Sequence, residues 1–115
     1  MARFQFKFDS VLQQRRLAEE QCQLAVAKVM RQRMILHDQL RNLQQSISAS
    51  KQDLRGGLVG SVDLTRVSSF TRYAGQATAR AQAIVTRLAG VERQIEDARQ
   101  RLIEATKARK AVDLL

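Results

Sequence analysis

From Val67 onward, steps alternating between three and four residues land on Val67, Phe70, Ala74, Ala77, Ala81, Ile84, Leu88, Val91, Ile95, Ala98, Leu102, Ala105, Arg109 and Val112. Thirteen of these fourteen positions are apolar, and only Arg109 interrupts the series. An apolar residue every 3.5 positions keeps one helix face turned toward a partner, so the spacing predicts the seam of a left-handed coiled coil. A seam held over about seven heptads is longer than an ordinary globular helix sustains. Alanine at many of its positions predicts close helix approach and modest burial per layer.

The first half of the chain is less regular. From Cys22 the same stepping gives Val26, Val29, Arg33, Leu36, Leu40, Leu43, Ile47, Ser50 and Leu54. Before Cys22 the apolar phase is better served by Phe8, Val11, Arg15 and Ala18, which makes two successive four-residue steps, Ala18 to Cys22 to Val26. Such a stutter unwinds a supercoil locally. Ser10-Val11-Leu12-Gln13 fits a capping box with Ser10 as N-cap, and Asp9 is an alternative cap one residue earlier.

One cluster of breakers separates the two stretches: Arg55-Gly56-Gly57-Leu58-Val59-Gly60-Ser61. It predicts the single turn, with Ser61 or Asp63 starting the second helix. Gly75 and Gly90 fall inside the second stretch, each costing about 1 kcal/mol against alanine in a helix. The expected architecture is all-α, a long antiparallel two-helix coiled-coil hairpin forming one domain over residues 1–115. Helix one covers about 10–55, the glycine-rich loop 56–62, and helix two about 63–115. At 1.5 Å per residue the helices would measure roughly 70 and 80 Å. Folding back about the loop would bring Leu54 near Leu64, Leu36 near Ala81, Cys22 near Ile95, and Phe8 near Arg109 to Val112.

Composition supports this reading. The chain of 115 residues has no proline, no tryptophan, five glycines and five aromatics, yet is 44% hydrophobic. Turn-rich β and mixed folds need punctuation that is missing here. The single cysteine, Cys22, excludes an internal disulfide and a cysteine-based zinc site. No stretch approaches the roughly 20 apolar residues that span a bilayer, and the opening residues lack a signal-peptide core. A reducing, cytoplasmic setting is expected.

Candidate chemistry is sparse. His37-Asp38 alone cannot hold a metal, which needs several convergent ligands, and no glycine-rich phosphate loop is present. Glu19-Glu20 and Glu92, Glu96, Asp97 stand at helical spacings from Arg15, Arg16, Arg93 and Arg99, so surface ion pairing accounts for them. Neither an enzyme nor a cofactor, metal or small-molecule substrate is expected. Cys22, at a seam position, reads as a small core residue, and His37 as half exposed.

The charge is the feature that asks for a partner. Twenty Lys and Arg stand against eleven Asp and Glu, a net +9. Residues to Leu58 carry ten cations and five carboxylates, and the rest ten and six, so no basic arm exists. The densest cluster is Arg99, Arg101, Lys107, Arg109 and Lys110. It suits either a helix C-terminus, whose dipole favours cations, or docking to an acidic protein or RNA. Arg109 on the seam is not explained by packing. Nucleic-acid modules add stacking aromatics or a recognisable motif; neither is present, which makes nucleic acid the alternative reading. Phe4, Phe6 and Phe8 would close over the open end of the hairpin or meet a partner. Phe70 belongs to the seam, and Tyr73, off it, is expected to be exposed.

The opening Phe4-x-Phe6-x-Phe8-x-x-Val11-Leu12-x-x-Arg15 with Glu19-Glu20, the mid-chain glycine loop, and the ending Glu104 to Asp113 resemble the FliJ family, the soluble stalk proteins of the flagellar type III export apparatus. The resemblance covers essentially the whole chain through loose motifs. It implies a coiled coil similar to the γ-subunit stalk of rotary ATPases. Implied partners are the hexameric export ATPase, the cytoplasmic domain of the export gate membrane protein, and export chaperones. The implied location is cytoplasmic, peripherally associated with the inner membrane at the flagellar base. By position, the ATPase-docking end would be Leu12, Arg15, Arg16, Lys107, Arg109 and Lys110. The surface for the export gate or chaperones would be Leu40, Leu43, Phe70 and Tyr73, although the family's mid-hairpin aromatics are only partly matched. Family members usually continue past the basic segment with a charged tail, whereas this sequence stops at Leu114-Leu115.

Overall fold

A computed structural model of the protein describes residues 2–57 and 64–115. They form two helices, α1 (Ala2–Gly57) and α2 (Leu64–Asp113). The architecture is the expected all-α, two-helix hairpin. Contacts divide the chain into two compact units, one from residues up to Arg33 together with Val91–Leu115, the other Met34–Gly90. Each unit is one length of α1 laid antiparallel on one length of α2.

The α2 seam is realised at every position. All fourteen residues from Val67 to Val112 are buried or half-buried, while the apolar Val85 and Ile103, out of phase with the seam, are exposed. In the unit holding the chain ends the core is Val91, Ile95 and Ala98; in the other it is Leu36 and Ala77. Two helices shield each other on one side only, so few residues are fully enclosed. Those that are cluster where alanine lets the backbones approach. Thr71, Thr78 and Thr86 each donate a hydroxyl hydrogen bond to the carbonyl four residues back (Val67, Ala74 and Gln82, at 2.9, 2.8 and 3.0 Å). Their polarity is thus met within the helix.

Helix α1 departs from expectation in three ways. It begins at Ala2 instead of near Ser10, so Asp9 and Ser10 lie in its interior. Phe4 and Phe6, at 73% and 76% exposure, close over nothing. It also continues through Gly56 and Gly57; the remainder of the expected turn, and Ser61 and Asp63 as caps, fall outside the described residues. The stutter, finally, does not occur. The half-buried positions are Phe8, Leu12, Glu19, Cys22 and Val26, while Val11 and Ala18 are exposed. With exposed Arg15 at the intervening position, four- and three-residue steps alternate without a break. Choosing the apolar Val11 and Ala18 over Leu12 and Glu19 is what made the seam look broken.

The register differs as well. Arg33 reaches Glu92 and Glu19 reaches Arg109, so Glu19, not Phe8, stands beside Arg109. Leu54 shares a groove with Phe70 and Tyr73, and Cys22 a hollow with Ala98 and Arg101. The expected pairings, Leu54–Leu64 and Cys22–Ile95 among them, are off by about one to three helical turns. The helix bounds differ accordingly: α1 runs past the first two glycines, and α2 starts at Leu64.

At Gly57 the guanidinium of Arg66 occupies the space a Cβ would need. Gly75 and Gly90 carry no such requirement, since a Cβ at either would meet nothing within 4 Å. Gly75→Ala and Gly90→Ala are therefore each expected to stabilise by about 0.4–1 kcal/mol, through the unfolded chain's lost freedom. Thermal melts of the single and double variants check this; a lowered Tm would give the glycine a role beyond the helix.

Candidate docking surfaces

Glu19 and Arg109 both occupy seam positions, one on each helix. The Arg109 Nε donates to both Glu19 carboxylate oxygens at 3.0 Å. Its Nη1 donates to Asp113 Oδ2 at 2.6 Å. Only 14% of the Glu19 side chain and 24% of Arg109 remain exposed. The hydrogen bond from Arg109 is the main reason the Glu19 carboxyl titrates below its ordinary value, and the Thr106 hydroxyl and the Lys110 charge act in the same direction. Arg109 is held more firmly protonated, first by Glu19 and then by Asp113. The one charge that seemed unjustified on the α2 seam is thus half of an interhelical ion pair. A second pair, Arg33 Nη1 to Glu92 Oε1 at 3.2 Å, links the helices at more exposed positions.

Because folding lowers the Glu19 pKa, its ion pair stabilises the fold fully above the ordinary carboxyl value of 4.5. That contribution disappears as pH falls through the lower folded value. Wild type should melt above Glu19→Gln at neutral pH, and the gap should close in strong acid. A gap that persists undiminished well below pH 4.5 would contradict this assignment.

Sequence reasoning passed over Glu19 as a surface carboxylate. The available signal was its position, three residues before Cys22, which continues the alternating steps backward.

Among the other residues of the expected docking end, Leu12 is half-buried and Arg15, Arg16, Lys107 and Lys110 are exposed. Arg15 and Arg16 precede Glu19 by about one turn, and Lys107 and Lys110 straddle Arg109. These four cations lie within about a turn of the pair along the two helices, Lys107 on a different side of α2 from Arg109, and none of the four forms an ion pair among the described residues.

The second expected surface is only partly assembled. Leu40, Leu43 and Phe70 are half-buried seam residues. Tyr73 is also half-buried rather than exposed, because it flanks the seam beside Phe70. These two aromatics line an open groove of about 330 Å³ with Ser50, Asp53, Leu54 and Arg66; Leu40 and Leu43 do not reach it. Cys22 is half-buried, and His37 and Asp38 are both exposed. Among the described residues no helix is long and apolar enough to cross a membrane.

The described residues form a seamed, two-helix hairpin with an interhelical ion pair on its seams. The family described as Flagellar FliJ protein matches residues 4–115. The chain belongs to the FliJ family, and so to a non-enzymatic class of flagellar export apparatus components. Neither the curated proteins nor the solved structures include a match.

Proposed function

We infer that this protein is a stalk of the flagellar export apparatus, similar to the γ-subunit of rotary ATPases, which docks on the hexameric export ATPase. The observation that carries this reading is the set of four exposed cations without ion-pair partners, Arg15, Arg16, Lys107 and Lys110, within about a turn of the Glu19–Arg109 pair along the helices in a chain of this family. Free guanidinium and ammonium groups at one site suit an acidic protein surface. Arg109 belongs to this end as the brace that holds it rather than as a contact. Leu12 supplies apolar area beside it.

The groove at Phe70 and Tyr73 is the surface for the cytoplasmic domain of the export gate or for an export chaperone. Two half-buried rings beside Arg66 offer an apolar anchor with a polar margin, the arrangement that protein recognition favours. Leu40 and Leu43 support it only through the seam. The protein acts from the cytoplasm, at the membrane face where the gate is reached.

The test is retention of the protein by the purified export ATPase, with ATP hydrolysis followed as the protein is added. Binding with altered turnover is expected. Absence of both would reject the ATPase as partner.

A further inference from the structure

The apolar seams alone do not choose one register. Both repeat every seven residues, and α2 presents alanine at Ala74, Ala77, Ala81, Ala98 and Ala105. Sliding one helix by a heptad lays apolar residues on apolar residues again. Pairing Leu36 with Ala81 and Cys22 with Ile95, as apolar spacing predicts, is one such slipped arrangement.

What separates the registers is charge at seam positions. In the observed one Glu19 meets Arg109 and Arg33 meets Glu92. Slide α2 by seven residues in one direction, and Glu19 faces Leu102, Arg109 faces Leu12, Arg33 faces Val85 and Glu92 faces Val26. Glu19 and Arg109 would then be desolvated against apolar side chains on the seam, and Arg33 and Glu92 would lose each other. Slide it the other way, and Arg33 faces Arg99 while Arg109 faces Val26. Only the observed register satisfies every charge.

We propose that Glu19 and Arg109, supported by Arg33 and Glu92, are positioning residues that select this one register, and with it the spacing of Arg15 and Arg16 from Lys107 and Lys110. Selecting a register is the best-attested use of polar groups at helix interfaces. A slip of one heptad would shift Arg15 and Arg16 by about 10 Å along α2 relative to Lys107 and Lys110, leaving every cation present but their arrangement changed. The functional consequence rests on the docking reading above; the register itself does not.

Cysteine cross-linking tests it in a Cys22→Ser background. In the observed register Ala25 lines one hollow with Ala98, and a one-heptad slip brings Val91 to the place of Ala98. Ala25→Cys with Ala98→Cys should oxidise to an internal disulfide, while Ala25→Cys with Val91→Cys stays at background. Adding Glu19→Leu, Arg33→Leu and Arg109→Leu keeps the seam apolar and the helices intact by circular dichroism. The Val91 pair should then rise on the order of tenfold, since the two registers become nearly equivalent. Reversing the charges with Glu19→Arg, Arg109→Glu and Asp113→Arg should return cross-linking to the Ala98 pair alone. Exclusive Ala98 cross-linking in the triple leucine variant, or failure of the reversed charges to restore it, would overturn the proposal. ATPase binding by the unsubstituted chain is read separately, so an absent partner and an absent lock give different results.

Discussion

Ile95→Ala is expected to lower the unfolding free energy by about 2–4 kcal/mol, the range for truncating a buried branched side chain. Ile95 is 1% exposed, the largest fully buried side chain, and sits between Val91 and Ala98 on the seam. Its neighbours along α2 are smaller than itself, so little side-chain volume is at hand to fill the space. The helices could refill it only by moving closer, which the larger seam residues elsewhere resist. Val85→Ala supplies the contrast. Val85 is off the seam and 53% exposed, and should change stability by no more than about 0.5 kcal/mol. For a domain near 100 residues, each kcal/mol moves Tm by about 4–8 °C, so the two variants separate in one thermal scan. Urea titration with an unchanged slope would place the loss in the native state. A cost for Ile95→Ala no larger than for Val85→Ala would mean that the seam is not where the stability resides.

That contrast could be drawn from the sequence, because residue spacing alone distinguishes Ile95 from Val85. The whole α2 seam was legible in this way. So was the α1 seam from Cys22 to Leu54, since the 3.5-residue period is a property of order along the chain. What the period does not encode is the offset between two repeating patterns. Matching apolar to apolar tolerates a slip of seven residues, and the breaker cluster did not mark the end of α1, because Gly56 and Gly57 remain helical. Glu19 was hidden for a related reason. A search for apolar positions discards a carboxylate, although its partner Arg109 stands out as the one exception on α2. Two exceptions of opposite sign on two seams are a register signal, and reading them together recovers it. Tyr73 was misjudged by treating a position beside the seam as solvent. A ring is long enough to lie back over the neighbouring Phe70 and be half covered.

The pairing of Glu19 with Arg109 also changes which cations are available to a partner. Arg109→Glu would set three carboxylates together with Glu19 and Asp113, so lost binding in that variant would report a damaged fold. Arg15→Glu, Arg16→Glu, Lys107→Glu and Lys110→Glu alter only exposed groups and replace neither member of the pair. The quadruple variant should keep its helicity and lose affinity for the export ATPase by at least about 100-fold. Four rim contacts at a few tenths to 1 kcal/mol each, with repulsion added, reach the roughly 2.8 kcal/mol that this factor requires. Stimulation or inhibition of ATP hydrolysis should disappear in parallel. Reversing Lys51, Arg55 and Arg80 removes a similar charge from the other unit and should leave affinity within about threefold, because exposed charges are screened beyond a Debye length. An unchanged dissociation constant for the quadruple variant would exclude this end as the docking surface. If both variants instead lose RNA binding in proportion to charge removed, with a steep dependence on salt, the cations serve a phosphate backbone.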